Sequence, residues 1–492
     1  MRAFFLSQLL IVAVSALAVS SPAPDLADDL STLVSSASSV SLAKDLEALI
    51  SRSSSITIDL KARWSTFSAP LPRIVVNVGA ENDVALVVKY LAKLGIPFLA
   101  QNGGVGWSTT FNLGNYGVLI NMAGFNAVTV SSDKTQTTIG GGAAIGDVIS
   151  AANAAGALVI TGNCNCVGAL GAVLGGAYGN LMGEVGLGVD NVLSLRVVLA
   201  SGDIVTASST SYPDLFWALR GAAPNFGIVL SATVKSQPAT ALDRTAFINN
   251  LFFDPSKLAD VAQAIQDLPL LPTQRIYLVL TNSGDAHNTP AVLVTGFLRK
   301  GTEADGLKAF APIYALGPTS NVSAITNYAQ WNDANNGFCS RAERKPAYST
   351  TINNMNASTW PGIWDLYKEF QEKGPNSAIL IERYNLTKAQ SAPAGSAAFN
   401  QNLRNQAFAQ AIVIPWYNDT RLDADALTFG QKVRGIWSFS SRPTLNPTYI
   451  NFAHGDEEPE ALYGSSLARL RQLKKQYDPT GAFNQWFPIE SL

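Results

Sequence analysis

The 492-residue chain has a formal net charge of −2, with 14% charged and 47% hydrophobic residues. It is long enough to bury a large core, which predicts two domains or one domain with a large insertion, and its lack of any basic block argues against nucleic-acid binding. Two histidines and three cysteines leave a His-based metal site improbable and no full complement of disulfides.

Residues 1–18, MRAFFLSQLLIVAVSALA, place one Arg before an apolar run that closes on Ala16–Leu17–Ala18. That is the shape of a secretory signal peptide and too short for a spanning helix, which predicts a soluble mature chain in the secretory pathway, secreted or retained in a vesicle or vacuole. Segment 19–70 reads as short outer helices. From Arg73 the pattern turns to strands alternating with helices: IVVNV is a strand, Val84, Val87, Val88, Leu91 and Leu94 mark one helical face, and Gly95 is a natural stop. PFLA and VLINM are short strands, AVTVSS and TQTTIGGG alternate, and Asp147 to Ala155 is a helix. SLRVVLASGDIVTAS is a hairpin turned at Ser-Gly-Asp, Asp214 to Leu219 a helix, and FGIVLSATVKS a closing strand. Residues 240–440 mix strands (AFINNLFF, RIYLVLT, AVLVTGFL, QAIVIPWY) with helices such as KLADVAQAIQDL, the composition of an antiparallel sheet backed by helices. The tail reads as a strand over PTYINF, a loop, a helix and a DP turn.

Four sequons, at Asn321, Asn356, Asn385 and Asn418, fit the secretory route as glycosylation sites. Cys164 and Cys166 are too close for an ordinary bridge, and a disulfide from Cys339 to one of them is possible with the partner left open.

The glycine-dense stretch Thr161 to Asn191 carries the chemistry. Glycine permits positive φ and close backbone approach, and successive loop N–H groups form nests suited to a phosphate or pyrophosphate. A second such turn, Gln101 to Trp107 (QNGGVGW), follows the strand PFLA, so two loops can hold two parts of one extended cofactor. A nicotinamide reading of GGGAAIG, Gly140 to Gly146, lacks the acidic residue about 20 positions on that the dinucleotide fingerprint requires.

The order of PRIVVNV, an amphipathic helix, a GG turn, VGALGAVLGGAYG, VDNV and LFWALRG…NFGIV resembles the FAD-linked oxidoreductases with a p-cresol-methylhydroxylase-type FAD domain. Within these it resembles the berberine-bridge-enzyme-like group and its fungal natural-product branch. The resemblance covers residues 70–235 most closely and the last forty residues more loosely. It implies an α+β fold with an FAD-binding domain over 71–238, a substrate-binding sheet over 239–440 and a C-terminal segment, 441–492, returning to the FAD domain. It also implies FAD contacts from Asn102, Gly103, Gly104, Val105, Gly106 and Trp107 in the first loop. In the second loop those contacts fall to Gly162, Cys164, Val167, Gly168, Gly171, Leu174, Gly175, Gly176, Tyr178 and Gly179.

The chain departs from that pattern. Relatives carry a His bonded to the flavin 8α-methyl where Val105 stands, and those with two links use a Cys at the position of Cys164. GGGHG reads GGAYG here, and GHNFG reads APNFG, with Pro224 in place of His. Non-covalent FAD, or its loss, is the expectation.

Two functions follow. One is an oxidase or dehydrogenase acting on a small natural product in secondary metabolism, with O₂ as acceptor. Tyr449 and Asn451 of PTYINF match the relatives' ring-facing pair, and Tyr449 requires a lowered pKa to act as base. Glu382 and Tyr384 of LIERY, and His454, are further catalytic candidates. The other function is a non-redox pericyclase of the hetero-Diels–Alderase type, to which some fungal relatives have turned. It needs a preorganised apolar pocket, which Trp331, Trp360, Trp364, Trp416 and Trp437 offer to line.

Overall fold

The computed structural model describes residues 40–60, 62–284, 288–405, 407–441 and 446–491. The signal-peptide segment, most of the N-terminal helical segment and His287 lie outside these residues. Residues 40–49 are helical, but the stretch after them contains a strand, Ser55–Thr57, where only helix was expected.

Residues 49–492 form one unit holding three main sheets. The first has four strands in the order Ser55–Thr57, Ile74–Asn77, Val118–Asn121, Phe98–Gln101, with the last three mutually parallel. Its crossover helix, Glu81–Leu94, buries Val84, Val87, Val88 and Leu91 and ends at Gly95, whose φ of 65° gives the left-handed cap. The second sheet is antiparallel, ordered Val128–Val130, Gln136–Gly140, Ile228–Lys235, Val192–Val198, Ile204–Ser208.

The third sheet has seven antiparallel strands, ordered Ser320–Asn327, Thr245–Phe253, Pro290–Arg299, Gln274–Asn282, Ala378–Tyr384, Ala409–Ile414, Tyr348–Ile352. Period-2 alternation divides its side chains between two faces. Ile276, Leu278, Leu280, Ile379, Ile381, Ala411 and Val413 pack into a core with residues of the helices Leu258–Asp267, Trp360–Gln371 and Asp423–Ser441. Arg275, Tyr277, Glu382 and Tyr384 occupy the alternate positions, in register as Arg275 opposite Tyr384 and Tyr277 opposite Glu382. Trp360 and Trp437 belong to the helix-backed core, which removes them from any pocket lining.

The tail differs from its expected strand. Tyr449 sits in a turn closed by Phe452 N–H donating to Tyr449 O at 2.8 Å, while Thr448 N–H donates to Ala461 O rather than to a sheet neighbour.

Candidate active site and cofactor cleft

The two glycine-rich loops lie against each other. A Cβ on Gly103 would be 2.7 Å from Gly168 N, so only glycine permits this approach. Asn102 Nδ2 donates to Ala143 O at 2.8 Å, and Ala143 O also accepts from Ala169 N–H at 2.9 Å.

The first loop is held by its carbonyls. Gly103 O accepts from Arg341 Nη2 at 2.7 Å, Gly104 O from Trp64 N–H at 2.9 Å, and Gly106 O from Arg63 Nη2 at 2.8 Å. The N–H groups of Gly103 to Trp107 donate to no protein group among the described residues. That leaves a row of donors for an anion. Behind the loop the buried Arg63 has its pKa pushed down to about 10, by burial and then by the positive charge of Arg341, and its Nε has no hydrogen-bond partner.

Beside the loops a cleft of about 170 Å³ runs between the two smaller sheets, lined among others by Asn102, Gly141, Gly171, Pro224, Val229 and Trp486. A side chain on Gly171 would meet nothing within 4 Å, so this backbone opens into space. None of the residues lining the cleft is charged, so the backbone donors of the adjoining first loop are the groups that would meet a phosphate. Two other glycines of the second loop serve another purpose. A Cβ on Gly175 would lie 2.1 Å from Asn451 Oδ1 and one on Gly176 2.9 Å from the Tyr449 ring, so their bareness admits the tail turn.

That turn completes a buried polar site. Tyr449 Oη accepts from Ala177 N–H at 3.1 Å and from Asn451 Nδ2 at 2.8 Å. The Tyr178 ring lies between two others, 4.8 Å from Tyr449 and 5.9 Å from Tyr384. Tyr384 Oη donates to Glu382 Oε2 at 2.9 Å and is itself hydrogen-bonded to the Tyr277 hydroxyl. Asn163 Nδ2, from the glycine-rich loop, donates to Tyr384 Oη at 2.9 Å and also to Tyr277 Oη. Asn163 Oδ1 accepts from Asn180 N–H at 3.1 Å, and Asn180 Oδ1 accepts from Arg275 Nε at 2.9 Å.

The electrostatics invert one expectation. Burial raises the Tyr449 hydroxyl well above the ordinary phenol value, against the lowering hydrogen bonds from Asn451 and Ala177, so it stays a neutral phenol and not a base. Burial pushes Glu382 up to about 7, against the Tyr384 hydrogen bond and the Arg275 charge. Of the two, Glu382 is the group held near neutrality. His454 is outside this network. Its ring stacks on Tyr348 at 4.1 Å and its Nδ1 faces Ala347 O at 2.9 Å, with burial lowering its pKa.

Tyr277, Arg275, Asn163, Asn180, Arg63 and Arg341 escaped the sequence reading. An alternation of polar residues at Arg275, Tyr277, Glu382 and Tyr384 within apolar strands was the available signal. Cys166 bridges Cys339, leaving Cys164 as a free thiol. Asn321, Asn356 and Asn418 are exposed, whereas Asn385 is half-buried and its amide nitrogen, which a glycan would occupy, donates to Leu270 O at 2.7 Å.

Residues 72–208 match the family described as FAD binding domain, and residues 448–489 that described as Berberine and berberine like. FAD-linked oxidoreductase chyH of Penicillium rubens is 31% identical, covering 87% of this chain and 88% of its own length. FAD-linked oxidoreductase anuG of Penicillium roqueforti is 30% identical over 87% and 86%. The chain belongs to the FAD-linked oxidoreductases.

Among solved structures, a chitooligosaccharide oxidase superposes with a TM-score of 0.74 at 19% identity, covering 88% of this chain and 94% of its own. The BBE-like 1 protein of Physcomitrella patens gives 0.75 at 20%, covering 87% and 94%. These share the α+β fold. The chain is an FAD-dependent oxidoreductase, and the cleft and donor row described above are the residues that would hold its cofactor. No helix among the described residues is long and apolar enough to cross a membrane.

Proposed function

We propose that this oxidoreductase removes a hydride and a proton from a small natural product, with Glu382 as the proton acceptor and dioxygen as the final electron acceptor. The observation that carries it is a buried carboxylate with a pKa of about 7, tied through Tyr384 and Asn163 to the cofactor loop. A base poised near neutrality combines a useful ionised fraction with driving force for proton transfer. FAD, when bound, supplies the hydride acceptor. Tyr384 donates to Glu382 and steadies the ionised form. Tyr449, neutral and held by Ala177 N–H and Asn451, orients the substrate through its hydroxyl. The surrounding tyrosines exclude water and favour a substrate with an aromatic or apolar body.

FAD is held non-covalently in this reading. Val105 offers no nucleophile in the first loop, and Cys164 Sγ lies 3.6 Å from Cys166 Sγ, within the sulfur cluster. Entry into the secretory pathway and a place in fungal secondary metabolism are part of the same proposal, supported by residues 1–18 and by the fungal relatives.

Acid precipitation of the purified yellow protein should leave FAD in the supernatant, and E382Q should keep its flavin content but lose substrate-dependent bleaching. Bleaching at the wild-type rate in E382Q overturns the assignment of the base. A colourless and active protein replaces the redox reading with the pericyclase one.

A further inference from the structure

One strap, residues 332–345, is tied to both cofactor loops. Asn332 Nδ2 donates to Gly162 O at 3.3 Å, Asn335 Nδ2 to Asn163 O at 2.7 Å, and Arg341 Nη2 to Gly103 O at 2.7 Å. The Cys166–Cys339 disulfide adds a covalent tie, its Cα atoms 5.9 Å apart. A third sulfur stands beside that bond, with Cys164 Sγ 3.6 Å from Cys166 Sγ and 3.7 Å from Cys339 Sγ. A thiol is thus already in van der Waals contact with both sulfurs of a disulfide.

We propose that these three sulfurs form a thiol–disulfide exchange site in which Cys339 bridges either Cys166 or Cys164, keeping the strap latched while the free thiol moves along the cofactor loop. Cys164 gives its proton to solvent, and the thiolate attacks Cys339 Sγ. The Cys166–Cys339 bond breaks with its electron pair on Cys166 Sγ, which takes up a proton. One disulfide is lost and one formed, so no oxidant is consumed. Attack on Cys166 Sγ would instead require a bridge across a single residue, where ordinary disulfide geometry is hard to meet. The strap is therefore not released by exchange. Burial, and after it the charge of Glu382, raises the Cys164 pKa against the Cys166 N–H hydrogen bond, which keeps the resting thiol protonated and the exchange slow. When the bridge sits on Cys164, the ionisable thiol in the field of Glu382 is replaced by a neutral disulfide.

The test is disulfide mapping of the full chain. Wild-type protein is held at mildly alkaline pH, quenched in acid, denatured and alkylated with iodoacetamide without reductant, then digested for peptide mass mapping. Label shared between Cys164 and Cys166 and absent from Cys339 is the expected result. C166S should yield a Cys164–Cys339 bridge with neither cysteine labelled, and C164S should retain Cys166–Cys339. Label confined to Cys164 in the wild type, or a folded C166S with both cysteines labelled, overturns the proposal. Neither readout depends on turnover, so failure of the redox assignment leaves it intact.

Discussion

Tyr384→Phe isolates the hydrogen bond that steadies the ionised Glu382. In the wild type the carboxyl titrates at about 7, the balance of burial raising it and the Tyr384 hydrogen bond and Arg275 lowering it. Substrate oxidation should therefore fall about tenfold per pH unit on the acid side of that value, as the ionised fraction does. A hydrogen bond to a charged group contributes about 1.5–3 kcal/mol, and one pKa unit corresponds to about 1.36 kcal/mol, so its loss should move the acid limb upward by about one to two units. The rate at high pH should be recovered in large part, because the carboxylate itself remains. The assay is anaerobic stopped-flow reduction of the bound flavin across pH. An acid limb that stays in place in Y384F refutes the assignment of Glu382 as the titrating base.

The same carboxyl makes a stability prediction: its folded pKa lies above its unfolded one, so the folded state is favoured at low pH and the penalty grows as pH rises through about 7. E382Q should thus be more stable than wild type at pH 8 by up to about 3 kcal/mol and lose that advantage by pH 4, read from urea midpoints at both values. Gly175→Ala places a Cβ 2.1 Å from Asn451 Oδ1. It should cost about 1–3 kcal/mol by denaturation and depress turnover by displacing Tyr449. Asp190 closes the glycine-rich loop and pairs with Arg404, 2.6 Å apart with side chains 14% and 2% exposed. D190A should cost about 3–5 kcal/mol, because it leaves a buried guanidinium uncompensated. A loss below 1 kcal/mol would show that water reaches Arg404.

The fold class, most strand and helix positions and the close approach of both glycine-rich loops were legible in the chain, because each rests on local physics. Period 2 marks the strands, period 3.6 marks the helix Glu81–Leu94 with Gly95 as its stop, and clustered glycine marks backbone that must approach something closely. The buried polar network was legible only in pieces. Glu382 and Tyr384 were picked out by type, but Asn163 reaches Tyr384 across 221 positions and Arg275 reaches Asn180 across 95. No local pattern encodes such contacts, and they arise only when the seven-stranded sheet turns one face toward the loop.

The same holds for charge and covalency. Sequence alone made Tyr449 the first candidate base, yet burial raises its pKa where a base needs it lowered, and it holds the neighbouring Glu382 near neutrality, which is what the proposal of Glu382 rests on. It counted three cysteines, while the course of the strap decided that Cys339 meets Cys166 and leaves Cys164 beside them. A pKa and a disulfide partner are set by what surrounds an atom in three dimensions, and the chain order lists only its covalent neighbours.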